Sequence, residues 1–319
     1  MDALGNPGQG RDIDTSLKAN HTFSRRPQPS GAYTDYYHKM TTYVAIIESQ
    51  AQLVDESVTA HTRSPIRPNP EESAFEYLET SSARAGIGPI NQKLTGEKVA
   101  IVGLGGTGSY ILDLVAKTPV GEIHLFDGDY FFTHNAFRSP GAPTLEDLET
   151  APKKVTWFTT IYSRMRRGIV PHEINLDTSN VGELGSMGFV FLCIDAGSTK
   201  RGVVDYLLGN RIPFIDVGIG LVSSGDSLSG TARVTRCTRT KADHVSRRIP
   251  LGDAEPDEYD QNIQVADMNA LNAALAVIRW KKERGFYADF GYEHSMVYSV
   301  TTNTLVNDEV PDEDPDPTT

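Results

Sequence analysis

Residues 98–138 read KVAIVGLGGTGSYILDLVAKTPVGEIHLFDGDYFFTHNAFR, and this stretch decides the fold. An apolar strand at 99–102 leads into a glycine-rich turn and an apolar helical repeat, and a second strand at 122–126 ends on Asp127. Glycines let the backbone turn sharply and let an anionic group approach the amides of a helix N-terminus, while an acid so placed can bind ribose hydroxyls. The stretch predicts a β-α-β unit with a nucleotide site. The glycines of the loop are Gly103, Gly105, Gly106 and Gly108.

Strands and helices alternate along the chain that follows, which is typical of a parallel sheet covered on both faces. The fold class is therefore α/β, a doubly wound and mostly parallel Rossmann-like sheet with an antiparallel C-terminal extension. The predicted elements are a helix at 145–165 interrupted by Pro152, strands near 173–175, at 188–194 and at 212–216, a helix at 198–208, a hairpin at 219–223 and 228–236, a helix at 263–282 with Asp267 on its apolar face, and a strand at 296–302.

Composition changes along the chain predict four regions. Residues 1–32 are polar and expected to be disordered, 33–94 form an N-terminal appendage with a linker helix, 95–305 form the nucleotide-binding domain, and 306–319 form an acidic disordered tail. Within the appendage, residues 37–47 fit a helix and a strand equally well.

A helix is also expected in this appendage, from Glu71 to Arg84, leading towards the glycine loop.

Overall charge and hydropathy exclude several classes of partner. The net charge of −12 argues against nucleic acid, and the Arg164–Arg167 cluster is expected to be a solvated helix end. No apolar run approaches the about 18 residues of a membrane span, and the N-terminus lacks the pattern of a secretory signal. We expect a cytoplasmic protein with neither a membrane nor a nucleic-acid partner.

Four residues beyond the loop indicate which nucleotide binds. Asn135 and Arg138 follow Asp127 closely, Lys153 begins the next helix, and Asp195 ends an apolar strand at the carboxyl edge of the sheet. A triphosphate needs cations and polar donors past the ribose, and a lone carboxylate there suits Mg²⁺. The pattern predicts ATP and Mg²⁺, whereas an NAD site would leave these groups unused.

These residues also carry a family resemblance. The chain from about 95 to 303 resembles the ThiF/MoeB/HesA superfamily, the adenylating domains of E1-type ubiquitin-activating enzymes. The matching motifs are GLGGTG at 103–108, FDGD at 126–129, Asn135 with Arg138, Pro152-Lys153, and Cys193-Ile194-Asp195 with Arg201.

The resemblance implies a role for each matching position. Asp127 would hold the ribose hydroxyls, and Asn135, Arg138 and Lys153 would hold phosphates. Asp195 would serve as the Mg²⁺ ligand or catalytic acid. The resemblance further implies a homodimer in which an arginine upstream of the glycine loop reaches the partner's ATP, and Arg84 is the candidate.

The upstream region resembles a bacterial branch of ThiF proteins that carry a domain of unknown function before the E1 fold. The segments that match are Phe23-Ser24, 33–37, 39–43 and 58–60. Proteins of this branch resemble components of bacterial ubiquitin-like conjugation operons. The resemblance therefore implies a ubiquitin-like protein as substrate and an E2-like acceptor.

Two cysteines limit the thiol chemistry. Without paired Cys-x-x-Cys motifs no zinc site is expected. Cys193 lies in an apolar strand and is expected to be inert, whereas Cys237 lies beside Arg233, Arg236 and Arg239, whose charges would lower its thiol pKa. Cys237 is thus the candidate thioester residue, with a nucleophile on a second protein as the alternative.

Together these features predict an adenylyltransferase that uses Mg²⁺ and ATP to activate the C-terminal carboxylate of a ubiquitin-like protein as an acyl-adenylate. Two alternatives stay open. One is an NAD-dependent oxidoreductase, which shares the loop and Asp127. The other is a non-catalytic partner subunit of an E1-like enzyme, which would be expected to lack some of the phosphate-binding residues.

Overall fold

A computed structural model describes residues 11–14, 17–19, 31–60, 65–252 and 263–310. The chain divides into two compact units, Met1–Pro65 and Ile66–Thr319. Within the described residues, no helix is both long and apolar enough to cross a bilayer.

The described residues of the first unit form two short strands and one helix. Strands β1 (Arg11–Asp14) and β2 (Leu17–Ala19) pair antiparallel, and α1 spans Tyr36–Gln52. The Asp35 side chain caps α1 by accepting the His38 N–H at 2.7 Å, which favours the helix over the strand that the sequence also allowed. The rest of the range 1–30 lies outside the described residues, so its expected disorder stays a prediction, as do the four region boundaries.

The second unit is built on an eight-stranded sheet in the order β10-β9-β8-β7-β6-β3-β4-β5. Strands β7, β6, β3, β4 and β5 pair parallel with their neighbours in this order. Strands β7, β8, β9 and β10 pair antiparallel. The predicted fold class is confirmed. The strands are β3 (Lys98–Val102), β4 (Glu122–Phe126), β5 (Ile169–His172), β6 (Phe189–Leu192), β7 (Phe214–Ser224), β8 (Ser227–Cys237), β9 (Ser295–Ser299) and β10 (Thr304–Asp308).

Helices cover both faces of this sheet. The α-helices among the described residues of the second unit are α2 (Ser81–Ala85), α3 (Gly88–Asn91), α4 (Gly106–Ala116), α5 (Thr133–Ala136), α6 (Leu145–Glu149), α7 (Lys154–Tyr162), α8 (Ser198–Gly209), α9 (Val245–Arg248) and α10 (Ala266–Glu283). Alternate residues of β3 enter two different cores: Val99 and Ile101 pack with α4, α7 and α10, and Ala100 and Val102 pack with α8. Burial on both faces explains why the strands read as continuous apolar runs.

Two local predictions are wrong because tertiary pairing replaces them. Residues 71–80 are not helical: Phe75 forms an antiparallel bridge with Arg166, and the Glu76 N–H donates to the Met165 carbonyl at 2.8 Å. The strand predicted at 173–175 lies earlier, at β5, whose register against β4 is set by the sheet.

The predicted interruption at Pro152 is confirmed. The chain forms α6 and α7 instead of one helix, and Ala151 between them has a φ of 41°. Near the C-terminus, β10 runs to Asp308, where Arg247 and Arg248 form ion pairs with Asp308 and Glu309. Residues 311–319 lie outside the described range.

The basic cluster at 164–167 is not a solvated helix end. Arg166 is fully buried, and its guanidinium donates to the carbonyls of Arg167 at 2.9 Å, Thr118 at 3.1 Å and Val120. Burial lowers the pKa of Arg166 to about 10. This one side chain joins the end of α7 to the connection between α4 and β4.

Replacing Arg166 should therefore cost far more stability than replacing its exposed neighbour Arg164. Arg166→Met removes the hydrogen-bond donor from three carbonyls in the interior. We therefore expect a loss of about 3 kcal/mol or more in the free energy of unfolding. Urea denaturation followed by circular dichroism measures it, with Arg164→Met as the control expected to change the free energy by less than about 0.5 kcal/mol. Equal losses from the two variants would contradict the role given to Arg166.

Candidate active site

A cavity of about 770 Å³ opens at the carboxyl ends of β3 and β6 and beside Val217–Ile219 in the middle of β7. In open α/β sheets ligands bind at this edge, where the order of the strands reverses. The order here reverses between β3 and β6, because the chain leaves β3 towards β4 on one side and continues to β6 and β7 on the other. The topology thus places the cavity where the sequence predicted a nucleotide site.

Each glycine of the loop has a distinct packing environment. Gly103 has a φ of 89°, a conformation that side chains rarely adopt. A Cβ on Gly106 would lie 2.0 Å from the Asn269 side chain, and one on Gly108 would lie 1.9 Å from the Gly103 carbonyl oxygen. Gly105 differs, because it lines the cavity and a Cβ there would meet no protein atom within 4 Å. Gly103, Gly105 and Gly106 line the cavity, whereas Gly108 serves close packing.

Asp127 lines the cavity and fixes the loop. Its Oδ2 accepts the Leu104 N–H at 2.7 Å, its Oδ1 accepts the Asp129 N–H at 2.9 Å, and the side chain is buried. Lys154 lies 3.3 Å from the same Oδ2 and 2.8 Å from Asp129. The acid therefore joins the loop to β4 and α7, in addition to the ribose contact expected from the sequence.

The lysine that lines the cavity is Lys154, whereas the predicted phosphate ligand Lys153 does not line it, and the phosphate contact of Lys153 stays a prediction. Lys153 lies outside the cavity, where its Nζ donates to the Gly128 carbonyl and stands 3.9 Å from the centre of the Tyr130 ring. Lys154 is buried and lines the cavity. Helical periodicity in the sequence could have indicated Lys154, because it lies on the same buried face of α7 as Phe158, one turn later.

Arg138 and Asp195 both line the cavity, and their contacts with phosphate and Mg²⁺ stay predictions. Burial lowers the pKa of Arg138, while the charge of Asp195 acts to raise it, so the two side chains interact electrostatically. Arg138 Nε is buried without a hydrogen-bond partner within the described protein. The pair provides a cation with an unused donor beside a carboxylate.

Asn135 and Arg84 lie elsewhere. Asn135 is buried in α5, where its Oδ1 accepts the Phe132 N–H at 2.9 Å, so it caps the helix and does not line the cavity. Its Nδ2 is buried without a hydrogen-bond partner among the described residues, and its phosphate contact stays a prediction. Arg84 is exposed on α2 and does not line the cavity, so its contact with a partner's ATP stays a prediction. Arg201 is also exposed and donates to the Leu251 carbonyl at 2.9 Å.

Two polar residues of the cavity, which lie in α10 and just before it, were not identified from the sequence. Asn269 is buried against the glycine loop, where its Oδ1 accepts the Thr107 hydroxyl at 3.0 Å and its Nδ2 lies 3.4 Å from the Arg138 carbonyl. Gln264 lines the cavity with its Oε1 buried and unpartnered among the described residues. Asp267 was expected to be a polar residue on the apolar face of this helix, but it is exposed. The face that is buried in the structure lies about half a turn around the helix from the predicted apolar face.

Cys237 does not fit a reactive thiol. It is buried at the last position of β8, and burial raises the pKa of the thiol to about 12, opposite to the predicted direction. Arg236 nearby is engaged by Asp289 at 3.5 Å. Because β8 runs antiparallel to β7, Cys237 pairs with Phe214 at the amino end of β7, before the residues of that strand that line the cavity, and Cys237 itself does not line it.

Asp195 could hold a metal together with a nucleotide. Among the described residues there is no group of three or more His, Cys, Asp or Glu side chains that could hold an ion. Mg²⁺, however, commonly binds through one or two carboxylates, substrate phosphates and water. Asp195, which is exposed and interacts electrostatically with Arg138, offers one such carboxylate to that donor set.

Comparison with known proteins identifies two segments. Residues 82–278 match the model of the ThiF family, and residues 1–80 match a domain of unknown function, DUF6791. The tRNA threonylcarbamoyladenosine dehydratase of Escherichia coli (strain K12) is 27% identical over 157 residues, which cover 47% of this chain and 56% of that relative.

Solved structures share the fold. E. coli MccB, in a structure with ATP, has a TM-score of 0.55 and 18% identity over 69% of this chain and 65% of MccB. PaaA has a TM-score of 0.55 and 15% identity over 91% of this chain and 92% of its own. The chain thus covers less than two thirds of the length of the dehydratase and of MccB. Because the family model covers more than half of the chain, this protein belongs to the ThiF family.

Proposed function

We propose that this protein is an ATP-dependent adenylyltransferase that activates the C-terminal carboxylate of a ubiquitin-like protein as an acyl-adenylate. The observation that carries the proposal is one cavity that brings together an open glycine at 105, the acid Asp127, two cations and Asp195. Membership of the ThiF family supports adenylation, and the E. coli MccB structures include one with ATP. The resemblance of the N-terminal region to the bacterial branch supports the ubiquitin-like substrate.

The reaction needs little covalent help from the protein. A carboxylate oxygen of the substrate attacks the α-phosphorus, the bond from that phosphorus to the bridging oxygen breaks, and pyrophosphate leaves with the electron pair. No proton has to move, because the nucleophile is already ionised. The contribution of the enzyme is in-line positioning and stabilisation of phosphate charge.

Each cavity residue has a role in that positioning. The loop with Gly105 lets the phosphates approach the amides at the start of α4, and Asp127 can accept from the ribose hydroxyls. Arg138 and Lys154 neutralise the phosphates as charge builds up on them. Asp195 would hold Mg²⁺, which adds positive charge beside the leaving phosphates when it is bound.

The later steps require other groups. Since Cys237 is buried and does not line the cavity, we propose that the nucleophile that receives the acyl group lies on a second protein, an E2-like acceptor. A homodimer with Arg84 reaching the partner's nucleotide belongs to the same proposal. An NAD-dependent oxidoreductase or a non-catalytic subunit is less well supported, because Arg138, Lys154 and Asp195 would then have no use in the cavity.

ATP with Mg²⁺ should protect the protein against thermal unfolding, and NAD should not. Gly105→Ala should weaken ATP binding by about tenfold or more. Its methyl group would project into cavity space that contains no protein atom and that the nucleotide would have to occupy. Gly209→Ala is the matched control, since a Cβ at this exposed position also meets no atom within 4 Å. A melting-temperature titration measures these effects, and protection by NAD alone would exclude the adenylation site.

The two adjacent lysines allow a direct test of the cavity. Lys154→Met should lower the rate of ATP–pyrophosphate exchange by about 100-fold, because it removes a buried phosphate cation. Lys153→Met should leave the rate within about twofold, since Lys153 contacts Tyr130 outside the cavity. Circular dichroism establishes that both variants are folded. The reverse order of effects would restore Lys153 as the phosphate ligand.

The substrate class is tested with ubiquitin-fold proteins as probes. Pyrophosphate exchange should depend on a probe with a free C-terminal carboxylate and should fall by about 100-fold in Asp195→Ala. Exchange with short peptides but with none of the ubiquitin-fold probes would overturn the substrate class and keep the adenylation chemistry. No exchange with either kind of probe would overturn the enzyme itself.

A further inference from the structure

A second cavity, of about 920 Å³, opens at the amino ends of the central parallel strands. Glu97, Gly188 and Pro213 line it, and these residues directly precede β3, β6 and β7. The candidate active site is lined instead by Gly103 and Cys193, which directly follow β3 and β6. The proposed adenylation uses no residue of the second cavity, so its polar lining needs another explanation.

The second cavity is lined by a buried arginine whose hydrogen bonding is incomplete. Arg236, near the end of β8, is 5% exposed. Its two terminal nitrogens have only long contacts, at 3.5 Å to Asp289 Oδ2, 3.4 Å to the Tyr292 carbonyl and 3.3 Å to His294 Nε2. Its Nε is buried and has no hydrogen-bond partner within the described chain. A buried guanidinium donor left in this state favours an acceptor from a ligand, and a carboxylate is the acceptor that fits it best.

The counter-charge that the protein gives to Arg236 is shared with other cations. Asp289 lies 3.5 Å from Arg236, 3.4 Å from Arg279 and 3.3 Å from Lys282. Glu293 is the other carboxylate of this cluster, and it pairs with Arg279 and Lys282. Three cations therefore share two carboxylates, which leaves one positive charge in excess beside the cavity.

A second group of cavity residues has the opposite imbalance. Glu97 and Glu283 both pair with Arg284, whose Nε donates to Glu97 Oε1 at 2.8 Å and whose terminal nitrogen donates to Glu283 Oε1 at 3.0 Å. The other oxygen of each glutamate, Oε2, is buried without a hydrogen-bond partner among the described residues. Burial raises the pKa of Glu283, so its negative charge is held there at a cost. Two carboxylates thus share one arginine, which leaves one negative charge in excess.

These two groups interact electrostatically but do not neutralise each other. Burial lowers the pKa of Arg236, while the charge of Glu283 acts to raise it. In the described structure each side chain nevertheless forms its ion pair elsewhere, Arg236 with Asp289 and Glu283 with Arg284. Arg236 is held by β8 and Glu283 by the last residue position of α10, so the backbone keeps the two charges apart. A ligand that carries both a negative and a positive group would complete both clusters.

We propose that the second cavity binds a small zwitterion with the chemistry of a free amino acid. The carboxylate of the ligand accepts hydrogen bonds from the Arg236 guanidinium, and its ammonium group donates to the Oε2 atoms of Glu97 and Glu283. The remaining volume accommodates a side chain and water. This inference goes beyond the proposed function and does not depend on the reaction at the candidate active site.

Calorimetric titration of the full chain tests the ligand class. The probes are the standard amino acids and the straight-chain ω-amino acids, which vary the distance between the two charges. At least one probe should bind with a Kd of about 1 mM or tighter. Its amide lacks the carboxylate and its N-acetyl derivative lacks the ammonium group, so each should bind about tenfold more weakly or worse.

Variants of the two charge clusters test the location. Glu283→Gln retains an oxygen for Arg284 but removes the surplus negative charge. It should weaken binding of the best probe by about tenfold or more and leave the melting temperature of the free protein equal or higher. Glu149→Gln, on the exposed end of α6, is the matched control and should change the affinity by less than about twofold. Arg236→Lys retains the charge but not the Nε–H, and should also weaken binding about tenfold.

Several results would overturn the zwitterion site. They are the absence of binding by every probe, and equal binding of a probe and its amide, which would mean that the cavity does not recognise the carboxylate. Unchanged affinity in both Glu283→Gln and Arg236→Lys would place the ligand elsewhere, and its loss in Lys154→Met would assign it to the candidate active site. Circular dichroism establishes folding, and if Arg236→Lys does not fold, the amide derivative still tests the contact with the arginine.

Discussion

The carboxylate of Asp127 is the constraint on which the rest of the site depends. It accepts the Leu104 N–H from the glycine loop, stands at the end of β4, and lies within 3.3 Å of Lys154 at the start of α7. Because the side chain is buried, removing it would leave the Leu104 amide without its acceptor and would deprive Lys154 of one of its two carboxylate partners, which is costly in a low-dielectric interior. One acid thus fixes the position of three separate elements around the cavity.

Local sequence patterns were sufficient for the sheet and the loop. The apolar runs of β3 and β6, the glycines and the acid after β4 each reflect backbone geometry or burial that short segments encode. The hairpin of β7 and β8 followed from alternation in the same way, with Gly225 at its turn having a φ of 60°. These are the features whose physical cause lies within a few residues of the chain.

The residues whose position differs from the expectation depend on tertiary packing. Whether Lys153 or Lys154 enters the cavity depends on where α7 begins, and Asn135 caps α5 instead of facing the cavity. Arg166 looks like one of several surface cations until the carbonyls around it are known, and Cys237 has arginine neighbours whose charges are outweighed by burial. Local charge patterns cannot show burial, and in each of these cases burial or helix phase decides the chemistry.

The charges around the cavity explain why a metal belongs in the proposed mechanism. Four carboxylates line it, Asp127, Asp129, Asp177 and Asp195, against the two cations Arg138 and Lys154. Lys154 is moreover already paired with Asp127 and Asp129. A surplus of negative charge repels a triphosphate, so these side chains alone do not supply the complementarity that adenylation requires. The partial positive charge at the starts of α4 and α8 offsets part of the deficit. A divalent cation on Asp195 would supply the remainder, which makes binding of ATP and Mg²⁺ mutually dependent in the proposed site.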